Sequence, residues 1–523
     1  MNSHRKQLIS LAHPVYLSLL ASVAAGIINT GWVAGLGGPA VAAVAVATGT
    51  ENVLLGIALV FASGTTVLVA HARGARDPAA LRSAVRGGWA LCALVTPAVV
   101  TAGFLLRAPL SRLLLGGTGP ELPLAVAYFT ISLPGVAVFY VQQLVDGILK
   151  GTGDTRTPMR LTLLANGLIL VCDPFLIHLY GVQGAAASTV LCRVLALGVG
   201  LRALRRNAVL RTAAVPAVRA PAGPASEGSA SGEPVSGESA VAGPGLAEAV
   251  LEQPASVGAA SGESVADEPG PPEAVLARPA SAESAAAQPT PARPAPGEPA
   301  PADPLSAALR RTFTTGLPMS ADFTVRQGGA LVLVAIVARL GVSAVAAYAI
   351  GYKVLYVATM AFYSVRQAAS IHTAHLRGTG KDARREIGRE AVLVSGTVGV
   401  VAAVLLCVTA PWIMAAFGTG PQVAHQGALF LRCVGPYLLL MACFIALGGV
   451  FEGSGGAPAL FRVTVLGTAV QLPLAYGLSG LGLPGVCLAM ALSMGVQCAV
   501  VAVLFRRAAR PQDDVEAVFE RVA

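Results

Sequence analysis

An all-α integral membrane fold, with twelve transmembrane helices in two parallel-repeat six-helix lobes, is predicted by three features of this sequence. The first is composition. The chain has 523 residues, of which 54% are hydrophobic and only 12% charged, with a mean hydropathy of +0.68. Soluble domains carry about 25% charged residues. The second is a series of apolar runs, each long enough to cross about 30 Å of hydrocarbon. The third is an internal repeat.

The runs fall at 13–34, 42–70, 86–106, 123–149, 158–180 and 184–204, and again at 309–338, 343–372, 391–415, 425–451, 461–480 and 483–505. Lysine and arginine divide unequally between alternate loops. One set holds Arg5, Lys6, Arg73, Arg76, Arg82, Arg86, Lys150, Arg156, Arg160, Arg377, Lys381, Arg384, Arg385, Arg389, Arg506, Arg507 and Arg510. The other holds Arg107, Arg112 and Arg339. The bias of cytoplasmic loops toward lysine and arginine then places both termini in the cytoplasm, as an even number of spans requires. The N-terminus has the look of a secretory signal, but a second copy of the segment later in the chain argues against its removal.

The repeat is read from short anchors. "GLGGPAVAAVAV" (35–46) aligns with "RLGVSAVAAYAI" (339–350), and the same offset of 304 carries Pro14 onto Pro318 and "HARG" (71–74) onto "HLRG" (375–378). At a slightly smaller offset "KGTGD" (150–154) meets "EGSGG" (452–456). Self-similarity at a fixed spacing marks repeated architecture. With six spans between copies, both halves run in the same sense, as in one class of secondary transporter. The lobes are expected at 1–207 and 306–508. Between them, 208–305 is rich in Pro, Ala, Ser and Glu. Its stretch from 220 to 304 has twelve acids against two arginines, a charge of −10 that leaves +19 for the rest of a +9 chain. Such a segment buries too little apolar surface to fold, and is expected to be a disordered cytoplasmic linker. A cytoplasmic tail follows at 509–523.

Several side chains stand out against this background. Asp173 lies in "LLANGLILVCDPFLIHLYG" (163–181), where a charge in lipid is expensive and marks function. Arg193, one span later, needs a carboxylate or water for the same reason. Asp173 thus has three alternatives: a proton carrier, a permanent partner of Arg193, or a plain hydrogen-bonded or water-facing acid. Asp146 stands four residues before Lys150, the spacing of a helical ion pair; the alternative is a place in the cavity wall, which Gln142 and Gln143 one turn earlier could also line. Asp322 and Arg326 have the same spacing. Lys353 and Arg366 have no evident acidic neighbour in sequence, so they face a wet cavity, with a preference for anionic cargo, or find partners across the bundle. The eight cysteines all lie in apolar runs without metal-ligand spacing, and read as small buried residues. No metal site is expected.

Together, "INTGWVAGLGGPAVAAVAVA" at the end of the first span, "GTGDTRTPM" (151–159), "CDPFLI" (172–177), "GVQGAAAST" (181–189) and "LPM" (317–319) followed by "RLGVSAVAAYAI" resemble the multidrug and toxic compound extrusion (MATE) family. The resemblance covers nearly all of the chain outside the linker. It implies a MATE-like fold whose two lobes alternate access, and a secondary active exporter of amphipathic organic compounds or drugs. Inward flow of H⁺, less readily Na⁺, would drive this antiport. It also implies that Asp173 matches the family's acid on helix 5. Asn29 stands where many members have a second acid, and Ile169 where they have an asparagine, with Asn166 one turn earlier. Pro14 matches a proline where helix 1 kinks in some members, and Arg326 stands where one branch has a glutamate. The expected partners are a small-molecule substrate and the lipid bilayer of the plasma (inner) membrane. Neither nucleic acid nor an organic cofactor is expected, and the chain is expected to work as a monomer. A lipid-linked oligosaccharide flippase of the same superfamily is the alternative. A membrane enzyme is a weaker one, since HExxH, phosphate-loop and DDxxD motifs are missing from the sequence.

Overall fold

A computed structural model describes residues 3–115, 119, 121–214, 304–418 and 420–508. Nearly all of the expected linker and the whole C-terminal tail lie outside the described residues. The chain opens with α1 (Ser3–Ala34), α2 (Gly38–Ala75), α3 (Pro78–Leu115), α4 (Glu121–Gly151), α5 (Arg156–Arg206) and the short α6 (Ala208–Ala214). It resumes with α7 (Leu305–Ala338), α8 (Val342–Gly378), α9 (Arg384–Ala416), α10 (Pro421–Cys433), α11 (Gly435–Ser454), α12 (Ala457–Gly477) and α13 (Leu483–Ala508), with one 3₁₀ turn at Leu478–Leu481.

Eleven of these helices are long and apolar enough to span a membrane. The twelfth span is hidden in α5. Its 51 residues would extend about 76 Å as a single rod, but Gly181 breaks it with φ 59° and ψ −133° into two arms. At the matching place in the second lobe, Gly482 separates α12 from α13 with φ 73°. Span ten is one run in the sequence but two helices here, since α10 and α11 meet at Val434.

The repeat is written in the backbone as well as in the residues. Left-handed φ occurs at Gly37 and Gly341, at Arg76 and Gly380, at Gly153 and Gly455, and at Gly181 and Gly482, pairs separated by 301 to 304 positions. Each pair closes the same hairpin in its lobe. The predicted spans underestimate several helices: α1 begins ten residues before its apolar run, and α9 seven. Hydropathy locates the stretch inside hydrocarbon, whereas the helix continues through its basic, water-facing turns.

The two lobes meet close to their arginine-rich end. A side chain at Gly74 on α2 would lie 1.9 Å from the backbone oxygen of His375 on α8, and one at Gly378 on α8 would lie 2.0 Å from that of His71 on α2. The "HARG" and "HLRG" copies therefore interlock reciprocally, each glycine against the other's histidine. Further along, a side chain at Gly316 on α7 would lie 1.7 Å from the Val60 oxygen on α2. Ser320 Oγ donates to the Gly56 carbonyl at 2.6 Å. The first turns of α1 cross to the other lobe: Leu8 and Ala12 pack with Val365, Ala368 and Ile387, and Arg5 pairs with Glu390 at 2.8 Å. Toward the opposite end Val342, which opens α8, is 88% exposed, and Val53, inside α2, is 56% exposed. Among the described residues these close inter-lobe approaches run from the middle of α2 to its arginine-rich end.

Candidate functional site

Asp173 is 1% exposed, within the first arm of α5 and beside α1. The Asn29 amide donates to its Oδ2 at 2.6 Å, while its Oδ1 is buried without a partner. Ser188, from the second arm of α5, faces it. α1 and this arm run side by side in the same direction, and one rung lower Asn166 donates to Ser22 Oγ at 3.2 Å. The two rungs are seven residues apart on each helix, about 10 Å. Asn29 thus joins Asp173, and Asn166 does not. Thr30 is turned back on the Gly26 carbonyl at 2.8 Å.

Permanent pairing of Asp173 with Arg193 is contradicted. The Arg193 guanidinium lies 3.3 Å from Glu51 Oε2 on α2 and 5.0 Å from the centre of the Phe139 ring on α4. Both charges of that pair are three-quarters buried. Glu51 was missed as its partner, although an acid inside the second apolar run is as conspicuous as Asp173. The expected Asp146–Lys150 pair is also corrected: among the described residues no such contact forms within 4.0 Å. Asp146 is buried in the lobe, with Oδ1 unpartnered, while Lys150 is half-buried in the last turn of α4. Gln142 and Gln143 are half-buried, and the Gln142 Oε1 has no partner.

In the second lobe the charges form one network. Arg326 donates to Asp322 Oδ2 at 2.5 Å, the helical pair read from the sequence. Arg366 reaches the same oxygen at 2.8 Å and Glu452 Oε1 at 2.6 Å. Thr464 Oγ1 donates to the other Asp322 oxygen at 2.5 Å. Arg366 is therefore not a free cation facing a wet cavity. Its acid, Glu452, lies 86 residues away on α11, in the "EGSGG" stretch that the sequence offers as a repeat anchor. Lys353 is exposed. The network ties α7, α8, α11 and α12 together. Glu452→Ala leaves Arg366 buried with half of its acidic contacts, and removing one partner of a buried pair costs about 3–5 kcal/mol. The expected outcome is a lower melting temperature for purified protein in detergent, with Glu452→Asp partly restoring it.

Pro14 is buried, and α1 runs unbroken through it from Ser3 to Ala34. It is the twelfth residue of the helix rather than part of its first turn. It therefore removes an interior hydrogen bond to the Ser10 carbonyl. Pro318 has the corresponding interior position in α7. His372 is buried, with its ring nitrogen 3.0 Å from that of His4 on α1. Among the described residues there is no group of three or more His, Cys, Asp or Glu able to hold a metal.

The fold and this pair of intramembrane polar clusters define a two-lobe, twelve-span membrane protein. The MatE family model matches residues 14–175 and again 318–477, once in each lobe. The chain belongs to the MatE family, a family of transporters rather than enzymes. It is 29% identical over 201 residues to the "Probable multidrug resistance protein YpnP" of Bacillus subtilis, covering 38% of this chain and 44% of that protein. Over 201 residues it is likewise 29% identical to the "Probable multidrug resistance protein NorM" of Thermotoga maritima, covering 37% and 43%. The chain thus spans less than half the length of these curated relatives. Among solved structures, one described as the "Outward-facing conformation of a multidrug resistance MATE family transporter of the MOP superfamily" has a TM-score of 0.75. It shares 17% identity, over 97% of this chain and 96% of that one.

Proposed function

We propose that this chain is a secondary active exporter of amphipathic organic compounds in the plasma membrane. Both termini are cytoplasmic, and inward proton flow is exchanged at Asp173 in the first lobe. The names of the relatives, multidrug resistance proteins, support the cargo class. The observation that carries the proton reading is the company Asp173 keeps: a buried carboxyl with a neutral amide, one free oxygen and no cation. It can take or release a proton without first breaking an ion pair, as membrane proton relays do. Sodium would need several oxygen ligands. The Asn166 amide points to Ser22 and the Thr30 hydroxyl to the Gly26 carbonyl, so neither bonds Asp173.

The arginine-rich end, assigned to the cytoplasm by its charge, is closed, and the opposite end is open. Rocking about the α2–α8 crossing would exchange these states. In this reading the chain acts as a monomer, since its two lobes supply both walls of the cleft. The test is dye uptake into everted vesicles with ΔpH or ΔNa⁺ imposed separately. Export energised by ΔpH alone is expected. Energisation by ΔNa⁺ alone would contradict the proton reading, and no energised uptake of any dye would contradict export.

Pro14 serves in this reading as the hinge of α1. Pro14→Ala restores the missing backbone bond, so it should raise the melting temperature while slowing ΔpH-driven export. Faster or unaltered export would remove the hinge role.

A further inference from the structure

The second-lobe network has more buried donors than acceptors. Both Asp322 oxygens are used, one by Thr464 and the other by two guanidinium groups. Glu452 serves only Arg366. Yet Nε and Nη1 of Arg326 and Nη1 of Arg366 are buried and donate to nothing. Arg366 is only 5% exposed, so its unused nitrogen is fixed deep in the lobe. Arg326 is the shallower of the two, its side chain 21% exposed. Buried N–H groups in native proteins find acceptors, and each one left unmade costs about 1–3 kcal/mol.

The surroundings of Arg326 are aromatic. Its guanidinium carbon lies 5.8 Å from the centre of the Tyr363 ring. Tyr352 and Tyr437 are within electrostatic reach of both Arg326 and Tyr363. Tyr352, Tyr356 and Tyr363 share one face of α8 by helical spacing, and Tyr356 is 44% exposed. A guanidinium with unused donors, ringed by phenols, provides both parts of a site for an aromatic acid: charge-assisted hydrogen bonds for the acidic group and ring faces for an aromatic body.

The geometry points to a subsite in the second lobe, built from Arg326 with Tyr352, Tyr363 and Tyr437, that binds the anionic group of an aromatic carboxylate or sulfonate. It rests on the exporter reading for its place in transport, because it names the class of cargo that the cleft accepts. The incoming acid takes up one of the donors of Arg326 that Asp322 leaves unused, while Arg366 and Glu452 form the fixed floor beneath. The first lobe, with Asp173 as the exchangeable carboxyl, is left free for the coupling ion.

The test is equilibrium binding, without any gradient, to full-length protein in nanodiscs. Fluorescein and rhodamine 6G are the probes: one xanthene ring system, opposite charge. Fluorescence anisotropy should show wild type preferring fluorescein, and Arg326→Gln should reduce the fluorescein to rhodamine 6G affinity ratio at least 10-fold. General misfolding weakens both dyes and leaves the ratio in place. If Arg326→Gln does not yield folded protein, Arg326→Lys keeps the charge beside Asp322 but loses the guanidinium's spare donors, and should lower the ratio at least 3-fold. A wild type that prefers rhodamine 6G, or a ratio unmoved in the folded variant, overturns the subsite. Failure of the exporter reading would show instead in everted vesicles, as absent energised uptake with this binding intact.

Discussion

Asp173→Asn is expected to abolish ΔpH-driven export, with a loss of at least 10-fold in dye uptake by everted vesicles, while the protein still folds. Asparagine preserves the shape of the side chain, and its amide oxygen still accepts from Asn29 at the position where Oδ2 now lies 2.6 Å from that donor. What vanishes is the exchangeable proton. The free Oδ1 of the buried acid is the atom with no duty to Asn29, so it is the one available for the proton. Arg193 gives no rescue, because it is committed to Glu51. Glu51→Gln serves as the contrast. It leaves the largely buried Arg193 without its acid and should reduce stability, but it should not change which gradient drives transport. Export by the Asp173→Asn protein at the wild-type rate under ΔpH would eliminate Asp173 as the carrier.

Gly74→Leu or Gly378→Leu should have an effect of similar size by a different route. Each glycine meets backbone of the opposite lobe closer than any side-chain atom tolerates, at 1.9 and 2.0 Å from the built position. Backbone within a packed helix cannot yield as a flexible side chain does, so the α2–α8 crossing has to open. The expected result is loss of the state closed at the arginine-rich end. Spin-label distances between the arginine-rich ends of α2 and α8 should lengthen, and export should fall at least 10-fold. The repeat makes this prediction unusually sharp: the two variants are pseudo-symmetric, so they should give matching distance changes. A leucine at either position with wild-type distances and wild-type export would show that the crossing is not a gate.

The sequence reading went furthest where a physical rule acts locally. Membrane spans are legible because water and hydrocarbon partition side chains so strongly. The Asp322–Arg326 pair is legible because four residues bring two side chains to one helix face. The same rule failed at Asp146 and Lys150, where burial drew one side chain into the lobe and left the other near water. It was silent on Arg366 and Glu452, since partners on α8 and α11 are joined only by tertiary packing. The interlock of Gly74 with His375 was likewise hidden: "HARG" and "HLRG" announced a repeat, but that the copies touch each other follows only from the arrangement of the lobes. Arg193 shows the remaining difficulty. A buried charge declares that it needs a partner, and Glu51 was as available in the sequence as Asp173. Only the placement of α2 against α5 decides between them.

The central claim is that two repeated lobes expose Asp173 and the cleft alternately to the two sides of the membrane. The most direct measurement pairs spin labels across the lobes at both ends of one molecule, at the arginine-rich ends of α2 and α8 and at the α1–α2 and α7–α8 turns, in nanodiscs from pH 8 to pH 5. The account predicts opposite changes, one distance lengthening as the other shortens, and their loss in Asp173→Asn. Two distances that stay fixed, or that lengthen together, would contradict it.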